Sequence, residues 1–183
     1  MSRSLLILLL MLGCTPVVPV CMTAEFMCTG SACQPASCDR CAYACSDGAN
    51  CTLSSGHDNV TGCAKSRCTG TLGDRATLTC ESSSNCELTL GHDAQAECSG
   101  SSCKLTANDR AKVTCADGTS CVLKVGNDAT VTCKAGSSCQ IDAGERAKVV
   151  CEGGSSCSVK CTSCSLTCDS TASCMCTNNN CTP

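Results

Sequence analysis

The sequence predicts an all-β protein that folds as a short-coil parallel β-solenoid, with two strands per 17–18-residue coil and a disulfide ladder inside. One observation is the cysteine spacing: pairs lie five or six residues apart, and each new pair starts 12 residues later, from Cys33 to Cys45 through Cys139 to Cys151. The other is the alternation of apolar and polar residues in the 12-residue segments. A fixed short period of this kind indicates stacked repeats.

Each predicted coil contains two strands and two turns. After Cys121, Leu123 and Val125 alternate with polar residues, and Ala129 and Val131 do so again before the next cysteine. We call the link between the two cysteines of a pair the near turn and the link between the strands the far turn. Glycine and asparagine suit a left-handed turn backbone, so we expect that conformation at Gly56, Gly73, Gly91, Asn108, Gly126 and Gly144. Eight or so coils would give a rod roughly 40 Å long.

The composition fits a thin interior in an oxidising compartment. There are 26 cysteines, one Phe, one Tyr and no Trp among 183 residues, which is typical of a disulfide scaffold. Zinc binding is the alternative for Cys38-x-x-Cys41 and Cys161-x-x-Cys164, but these cysteines occupy coil positions in a chain that we expect to be exported, so we predict no cofactor. The net charge of −3 and the interleaved basic residues give no support for nucleic-acid binding.

The chain is predicted to begin with a signal peptide over residues 1–13. The stretch Leu10-Met11-Leu12-Gly13-Cys14 resembles the lipobox of bacterial lipoproteins, which implies an acylated (palmitate-carrying) Cys14 and a membrane anchor in the cell envelope, facing the periplasm or the cell surface. Residues 14–27 would then be a lipid-anchored tether, 28–174 the cysteine-rich solenoid and 175–183 a C-terminal tail. The alternative is cleavage after Ala24, which would give a secreted protein.

Cysteine counting supports bridges across the near turns, with both partners facing inward. Nine such pairs are Cys28 with Cys33, Cys45 with Cys51, Cys63 with Cys68, Cys80 with Cys86, Cys98 with Cys103, Cys115 with Cys121, Cys133 with Cys139, Cys151 with Cys157, and Cys168 with Cys174. Three others are Cys38 with Cys41, Cys161 with Cys164, and Cys176 with Cys181. Pairing along a column, such as Cys45 with Cys63, is the alternative, but each column holds an odd number of cysteines. Cys14 and Cys21 are left over, and both would be removed by cleavage after Ala24, which favours that alternative.

A charge ladder marks the far turn. The sign alternates through Arg40, Asp58, Arg75, Asp93, Arg110, Asp128 and Arg146. We interpret it as a solvated column whose opposite charges hold the coils in register. The position before it carries His57 and His92 among carboxylates, which makes these histidines weak candidates for binding Zn²⁺ or Cu²⁺. They lie two coils apart, about 9.6 Å, so one ion cannot bind both.

No nucleophile, base and orienting group occur together, so we do not expect an enzyme. The cysteine pattern resembles the beetle antifreeze proteins in architecture, which implies a solenoid with interior disulfides; here Gln95-Ala96-Glu97 interrupts the Thr-x-Thr pattern of that family. We therefore expect a non-catalytic envelope or surface lipoprotein that acts as a structural or interaction module, attached to the membrane by lipid, with an unidentified protein or polysaccharide partner. The alternatives are a metal or small-ligand binder that uses the far turn, and a secreted ice-binding-like protein.

Overall fold

Seventeen strands form one continuous parallel sheet that winds through about nine turns, in the computed structural model that describes residues 25–177 and 180–182. The strands are β1 (Glu25–Thr29), β2 (Ala32–Cys33), β3 (Ala42–Ser46), β4 (Asn50–Ser54), β5 (Val60–Ala64), β6 (Arg67–Leu72), β7 (Thr77–Glu81), β8 (Asn85–Leu90), β9 (Gln95–Ser99), β10 (Ser102–Ala107), β11 (Lys112–Ala116), β12 (Ser120–Val125), β13 (Thr130–Cys133), β14 (Ser138–Cys151), β15 (Ser156–Cys168), β16 (Ser173–Cys176) and β17 (Cys181–Thr182). The predicted fold class is confirmed.

The coils stack in register, so equivalent residues lie above one another. In the central coils, for example, Cys103 of β10 pairs with Cys121 of β12, and Cys115 of β11 pairs with Cys133 of β13. We call the outward side of the strands that follow a near turn the A face (β2, β4, β6, β8, β10, β12, the first halves of β14 and β15, and β16). The B face is the outward side of the strands that precede a near turn (β1, β3, β5, β7, β9, β11, β13 and the second halves of β14 and β15).

The interior is a thin core formed by the inward side chains of the A-face and B-face strands, which face each other. In β10 the inward residues Cys103, Leu105 and Ala107 are buried, and the residues between them are exposed. Equivalent rows of cysteine, leucine, valine and alanine continue through the stack as one core. The narrow space between the two facing strands suits small and medium side chains, and the one buried aromatic ring among the described residues, that of Tyr43, lies in the first coils.

Twelve disulfides join cysteines within the described residues. Nine cross the near turns: Cys28–Cys33, Cys45–Cys51, Cys63–Cys68, Cys80–Cys86, Cys98–Cys103, Cys115–Cys121, Cys133–Cys139, Cys151–Cys157 and Cys168–Cys174. The other three are Cys38–Cys41, Cys161–Cys164 and Cys176–Cys181. The bridges therefore run across the turns and not along the columns, as the spacing predicts. Cys14, with its predicted lipid modification, and Cys21 lie outside the described residues.

The expectation that every near-turn cysteine pair faces a closed interior is wrong for the last bridge, Cys168–Cys174. Cys157 is buried, and its bridge to Cys151 lies in the core. Cys174 pairs with Cys157 in the register, but it is only half-buried, and its partner Cys168 is exposed. Strands β16 and β17 do not form a complete coil over this bridge in the described part of the chain, so the buried near-turn bridges end at Cys157 and not at Cys174.

Both ends of the solenoid also differ from the expected boundaries. At the start, β1 begins at Glu25 rather than Cys28, and the ring of Phe26 stacks on that of Tyr43 with 5.2 Å between ring centroids. At the other end, the expected boundary at Cys174 falls inside β16. Both β16 and β17 pair with β15, so residues expected to form a tail continue the stack to Thr182. A parallel strand can still gain hydrogen bonds on its one paired side, which extends the regular structure at each end.

The far turn is built differently from the expectation. The left-handed backbone occurs at the charge-ladder residues, whose φ angles lie between 55° and 59°. The glycines two positions earlier do not have positive φ; they are needed because the coils approach closely there. A Cβ on Gly73 would overlap the backbone of Gly56, and one on Gly91 would overlap the far-turn backbone at Gly73 and Asp74.

Candidate functional site

The charge ladder consists of separate ion pairs. Each of three arginines binds the aspartate of the preceding coil through two hydrogen bonds of 2.7–2.8 Å; the pairs are Arg75–Asp58, Arg110–Asp93 and Arg146–Asp128. The forked geometry makes these pairs stronger than single contacts between point charges. Within the described residues Arg40 forms no ion pair. Each ion pair of the ladder therefore joins two adjacent coils.

The pairing changes the acidity of its members. The hydrogen bond from Arg75 lowers the pKa of Asp58, and desolvation opposes this only in part. Arg110 lowers the pKa of Asp93 in the same way, and Arg146 that of Asp128. All of these groups are solvent-exposed, so salt will screen their attraction.

The position before the ladder forms a second column that the sequence analysis did not identify. Its side chains, except that of His92, accept backbone N–H groups from the equivalent residue one coil later. The bonds run from His57 N to Asp39 Oδ1 (2.7 Å), Asp74 N to His57 Nδ1 (3.2 Å), His92 N to Asp74 Oδ1 (2.8 Å), Asn127 N to Asp109 Oδ1 (2.8 Å) and Glu145 N to Asn127 Oδ1 (2.8 Å). A short side chain with an acceptor atom recurs at this position in six successive coils, and that recurrence was the available sequence signal.

The two histidines belong to this column. Nδ1 of His57 already accepts a hydrogen bond, and it lies 3.6 Å from Oδ2 of Asp74. Nδ1 of His92 lies 3.7 Å from Oδ2 of Asp109 and has no hydrogen-bond partner among the described residues. Close groups of three sulfur atoms, such as those of Cys80, Cys98 and Cys103, belong to disulfide-bonded cysteines and are not thiolates. Of the two, His57 uses its Nδ1 in the packing of the far turn.

The sequon Asn59-Val60-Thr61 is also part of the packing. Asn59 is fully buried; its Oδ1 accepts the N–H of Cys41 at 2.7 Å, and its Nδ2 donates to the carbonyl of Gly56 at 2.6 Å. Thr61 is buried as well. A glycosylating enzyme cannot reach this amide in the folded chain.

The serines and threonines of the near turns have structural partners. Some of their hydroxyl groups are buried and donate to the carbonyl of the first cysteine of the preceding coil, as Ser66 does to Cys45 at 3.0 Å and Ser101 to Cys80 at 3.2 Å. Thr119 repeats the contact, to the carbonyl of Cys98. The hydroxyls of Ser137 and Ser155 donate to a carbonyl within their own turn. Three other near-turn hydroxyls donate exposed hydrogen bonds to carboxylates: Ser46 to Asp47 at 3.2 Å, Ser99 to Asp117 at 2.8 Å and Ser170 to Asp169 at 3.2 Å.

The outward strand faces carry the side chains that the stack does not use. On the A face a shallow groove of about 500 Å³ runs along the solenoid axis between the outward columns of β10, β12, β14 and β15, and reaches Thr177. On the B face a smaller depression of about 230 Å³ lies over β7, β9 and β11. There Thr77 stacks on Gln95, and Gln95 on Lys112, so the threonine rows are interrupted.

Comparison with protein-family models, curated proteins and solved structures gives no match. Within the described residues, no helix is long and apolar enough to cross a bilayer.

Proposed function

We propose that this protein is a non-catalytic, disulfide-stabilised structural or interaction module exposed at the cell envelope. One observation supports this most directly: the residues whose chemistry suggests a site are engaged in holding coils together. Three aspartates and three arginines of the ladder pair with each other, His57 accepts a backbone N–H, and the buried hydroxyls of near-turn residues such as Ser66 bind carbonyl groups. What remains for contact with other molecules is a pair of regular strand faces.

A rigid, extended surface suits binding better than catalysis. Catalytic groups act in enclosed, water-poor sites where their interactions are strong. The A-face groove is open and shallow, and its outward side chains are repeated at the coil spacing. Repeat proteins use such surfaces for binding, an analogy at the level of fold that supports the proposal without identifying a partner.

We also propose that the module is exported and attached to the membrane through lipid on Cys14, with the residues before β1 as the tether. The apolar run that ends at Gly13-Cys14 supports this. The test is to express the full chain, with its own leader, in a bacterium that processes lipoproteins. We expect the protein in the membrane fraction, with an N-terminal peptide that carries the mass of the acyl groups.

Two substitutions make the test specific. Cys14→Ser should move the protein to the soluble exported fraction, whereas Cys21→Ser should leave it in the membrane. An unmodified N-terminus at Glu25 would instead establish the secreted form.

The metal-binding alternative depends on His57 and His92. Replacing both with Asn, followed by calorimetry with Zn²⁺ and Cu²⁺ on the oxidised protein, separates the two functions. We expect the wild-type and double-variant proteins to give the same heats. Micromolar binding that disappears in the double variant would favour the metal binder over the structural module.

A further inference from the structure

The ionisable residues are unevenly distributed around the solenoid. The outward positions of the A-face strands carry four basic residues against two acidic ones; they are Arg67, Lys104, Lys124 and Lys160, and Glu87 and Asp142. Every other side has more acidic than basic residues among the described residues. The B-face strands have Glu25, Glu81 and Glu97 against Lys112 and Lys148; the far turns have seven acidic residues against four arginines; the near turns have Asp47, Asp117, Glu152 and Asp169 against Lys65 and Lys134. The A face is thus the only net positive side in that part of an acidic chain.

The basic side chains of the A face that form no ion pair lie toward the C-terminal end of the solenoid. Glu87 binds Lys104 at 2.8 Å and lies 3.9 Å from Arg67, and the hydrogen bond from Lys104 lowers the pKa of this carboxyl group. Farther along the axis, Lys124 and Lys160 are neighbours of Asp142 in the register, one on each side. Among the described residues, neither lysine forms an ion pair, and both side chains are exposed. Two cations therefore flank one carboxylate without being neutralised.

These lysines line the groove of the A face. It has Lys124, Asp142 and Lys160 along one wall and Lys104, Val122 and Gln140 along the other. It extends over five coils, roughly 19 Å, and the two free lysines are two coils or about 9.6 Å apart. An extended polymer with anionic groups at a similar spacing can contact both lysines at once.

We propose that the A-face groove binds an extended anionic polysaccharide, carboxylated or sulfated, with Lys124 and Lys160 as its main contacts. This inference rests on the proposed interaction function and names the class of partner. Gln140, Thr106 and Ser158 supply hydrogen-bonding groups for sugar hydroxyls along the same groove. The exposed Val122 offers a small apolar contact for the face of a sugar ring.

Other polymers fit the groove less well. An acidic peptide binds a sheet best by pairing with an unpaired edge strand, whereas the backbone groups of β10, β12 and β14 are already paired on both sides. Single-stranded nucleic acid relies on aromatic side chains for stacking, and Phe26 and Tyr43, the only aromatic residues, lie at the other end of the solenoid. Neutral sugars would lack a charged contact.

The experiment uses the full-length oxidised protein, immobilised, with dextran sulfate, polygalacturonate, uncharged dextran and poly-glutamate as probes. We expect both anionic polysaccharides to bind, with affinity that falls as salt is raised, and uncharged dextran not to bind. Lys124→Gln with Lys160→Gln should weaken binding about tenfold. Asp142→Asn should strengthen it several-fold, because the carboxylate between the two cations is removed.

A matched control exists on the opposite face. Lys112 and Lys148 are exposed on the B face, also two coils apart in one column, so Lys112→Gln with Lys148→Gln removes the same charge at the same spacing. This control should change affinity by less than twofold. Equal losses in both double variants would overturn the groove assignment. If poly-glutamate bound with the same affinity as the polysaccharides, the class of partner would be wrong, but the proposed interaction module would still stand. If neither anionic polysaccharide bound, the inference would be wrong, and the membrane-fraction test of the proposed function would be unaffected.

Discussion

Removing one interior disulfide tests whether the bridges stabilise only by closing loops or also by packing. Cys98–Cys103 and Cys28–Cys33 both close a loop with a sequence separation of five, so their loop-closure terms are equal. In the chain-entropy treatment that term is about 2 kcal/mol for each. Replacing both cysteines of a pair with alanine removes it and also deletes two sulfur atoms from the core.

The two bridges differ in the free energy that packing around their sulfur atoms contributes. Cys98 is fully buried and lies between Cys80 and Cys115 of the adjacent coils, whereas Cys28 has one stacked neighbour, Cys45, among the described residues. Deleting a fully packed sulfur costs about 1 kcal/mol, by analogy with a buried methylene and its cavity. The interior variant should therefore lose about 4 kcal/mol and the terminal variant about 3 kcal/mol.

Native-state hydrogen exchange under oxidising conditions is the appropriate measurement, because a solenoid can open locally and a single unfolding transition is not assured. Amides of β9 and β10 report on the interior variant, and those of β1 and β3 on the terminal one. Equal losses at the two sites would show that packing around the sulfur atoms contributes nothing. Unchanged exchange at both sites would refute the loop-closure reasoning itself.

Three further substitutions test the contacts between coils. Asn59→Ala should lose about 1–3 kcal/mol in urea unfolding, since the N–H of Cys41 is left buried without its acceptor, whereas the carbonyl of Gly56 keeps its bond from the N–H of Gly73; a loss below 0.5 kcal/mol would contradict this. Arg110 lowers the pKa of Asp93, so the stability that this pair contributes is present above the unfolded-state pKa and is lost as pH falls through the folded-state pKa. Between about pH 5 and pH 2 the melting temperature of the Asp93→Asn variant should therefore fall less than that of the wild type. Parallel profiles of melting temperature against pH would exclude the effect. Gly91→Ala should cost about 1–3 kcal/mol because its Cβ meets the coil below, and an unchanged melting temperature would mean that the turn can move aside.

The sequence was informative wherever a physical constraint repeats with the coil. Alternation places Leu123 and Val125 on the inner side of β12, and both are buried. The cysteine spacing predicts bridges across the turns because inward-facing cysteines on either side of a near turn come close together. Both inferences depend on local geometry and on the period of two in a strand. The same spacing predicts the bridge between Cys168 and Cys174 but not its exposure, because burial depends on a further coil that the local pattern does not describe.

The far turn shows where local reasoning fails. Propensity assigns the left-handed backbone to a glycine such as Gly91, because glycine adopts it without strain. In the structure Asp93 has φ of 58° instead, and Gly91 is required by the backbone one coil below. That neighbour is 17 or 18 residues away in the sequence, so no propensity of a single residue contains it.

The hydrogen-bond column was missed for a related reason. Asp74 and His92 look like candidate ligands when their chemistry is considered alone. Their backbone N–H groups, however, need acceptors at a tight turn where no strand is available to supply them. The side chain of the preceding coil supplies the acceptor, so a carboxylate, an imidazole and an amide can replace one another at this position.

The same constraints determine the geometry of the A face. Disulfides close the near turns of these coils, and at the far turn Asn127 and Glu145 donate backbone N–H groups to the coil before, so backbone stacking sets the distance between Lys124 and Lys160. A ligand that contacts both lysines has to order only their side chains and its own chain, because the backbone beneath is already ordered. Lengthening the spacing by one coil should therefore weaken a multivalent polysaccharide more than a single sugar anion. Moving the second cation from Lys160 to the next row, with Lys160→Gln and Thr177→Lys, tests this: the affinity ratio of polygalacturonate to galacturonate should fall, and an unchanged ratio would mean that spacing plays no part in recognition.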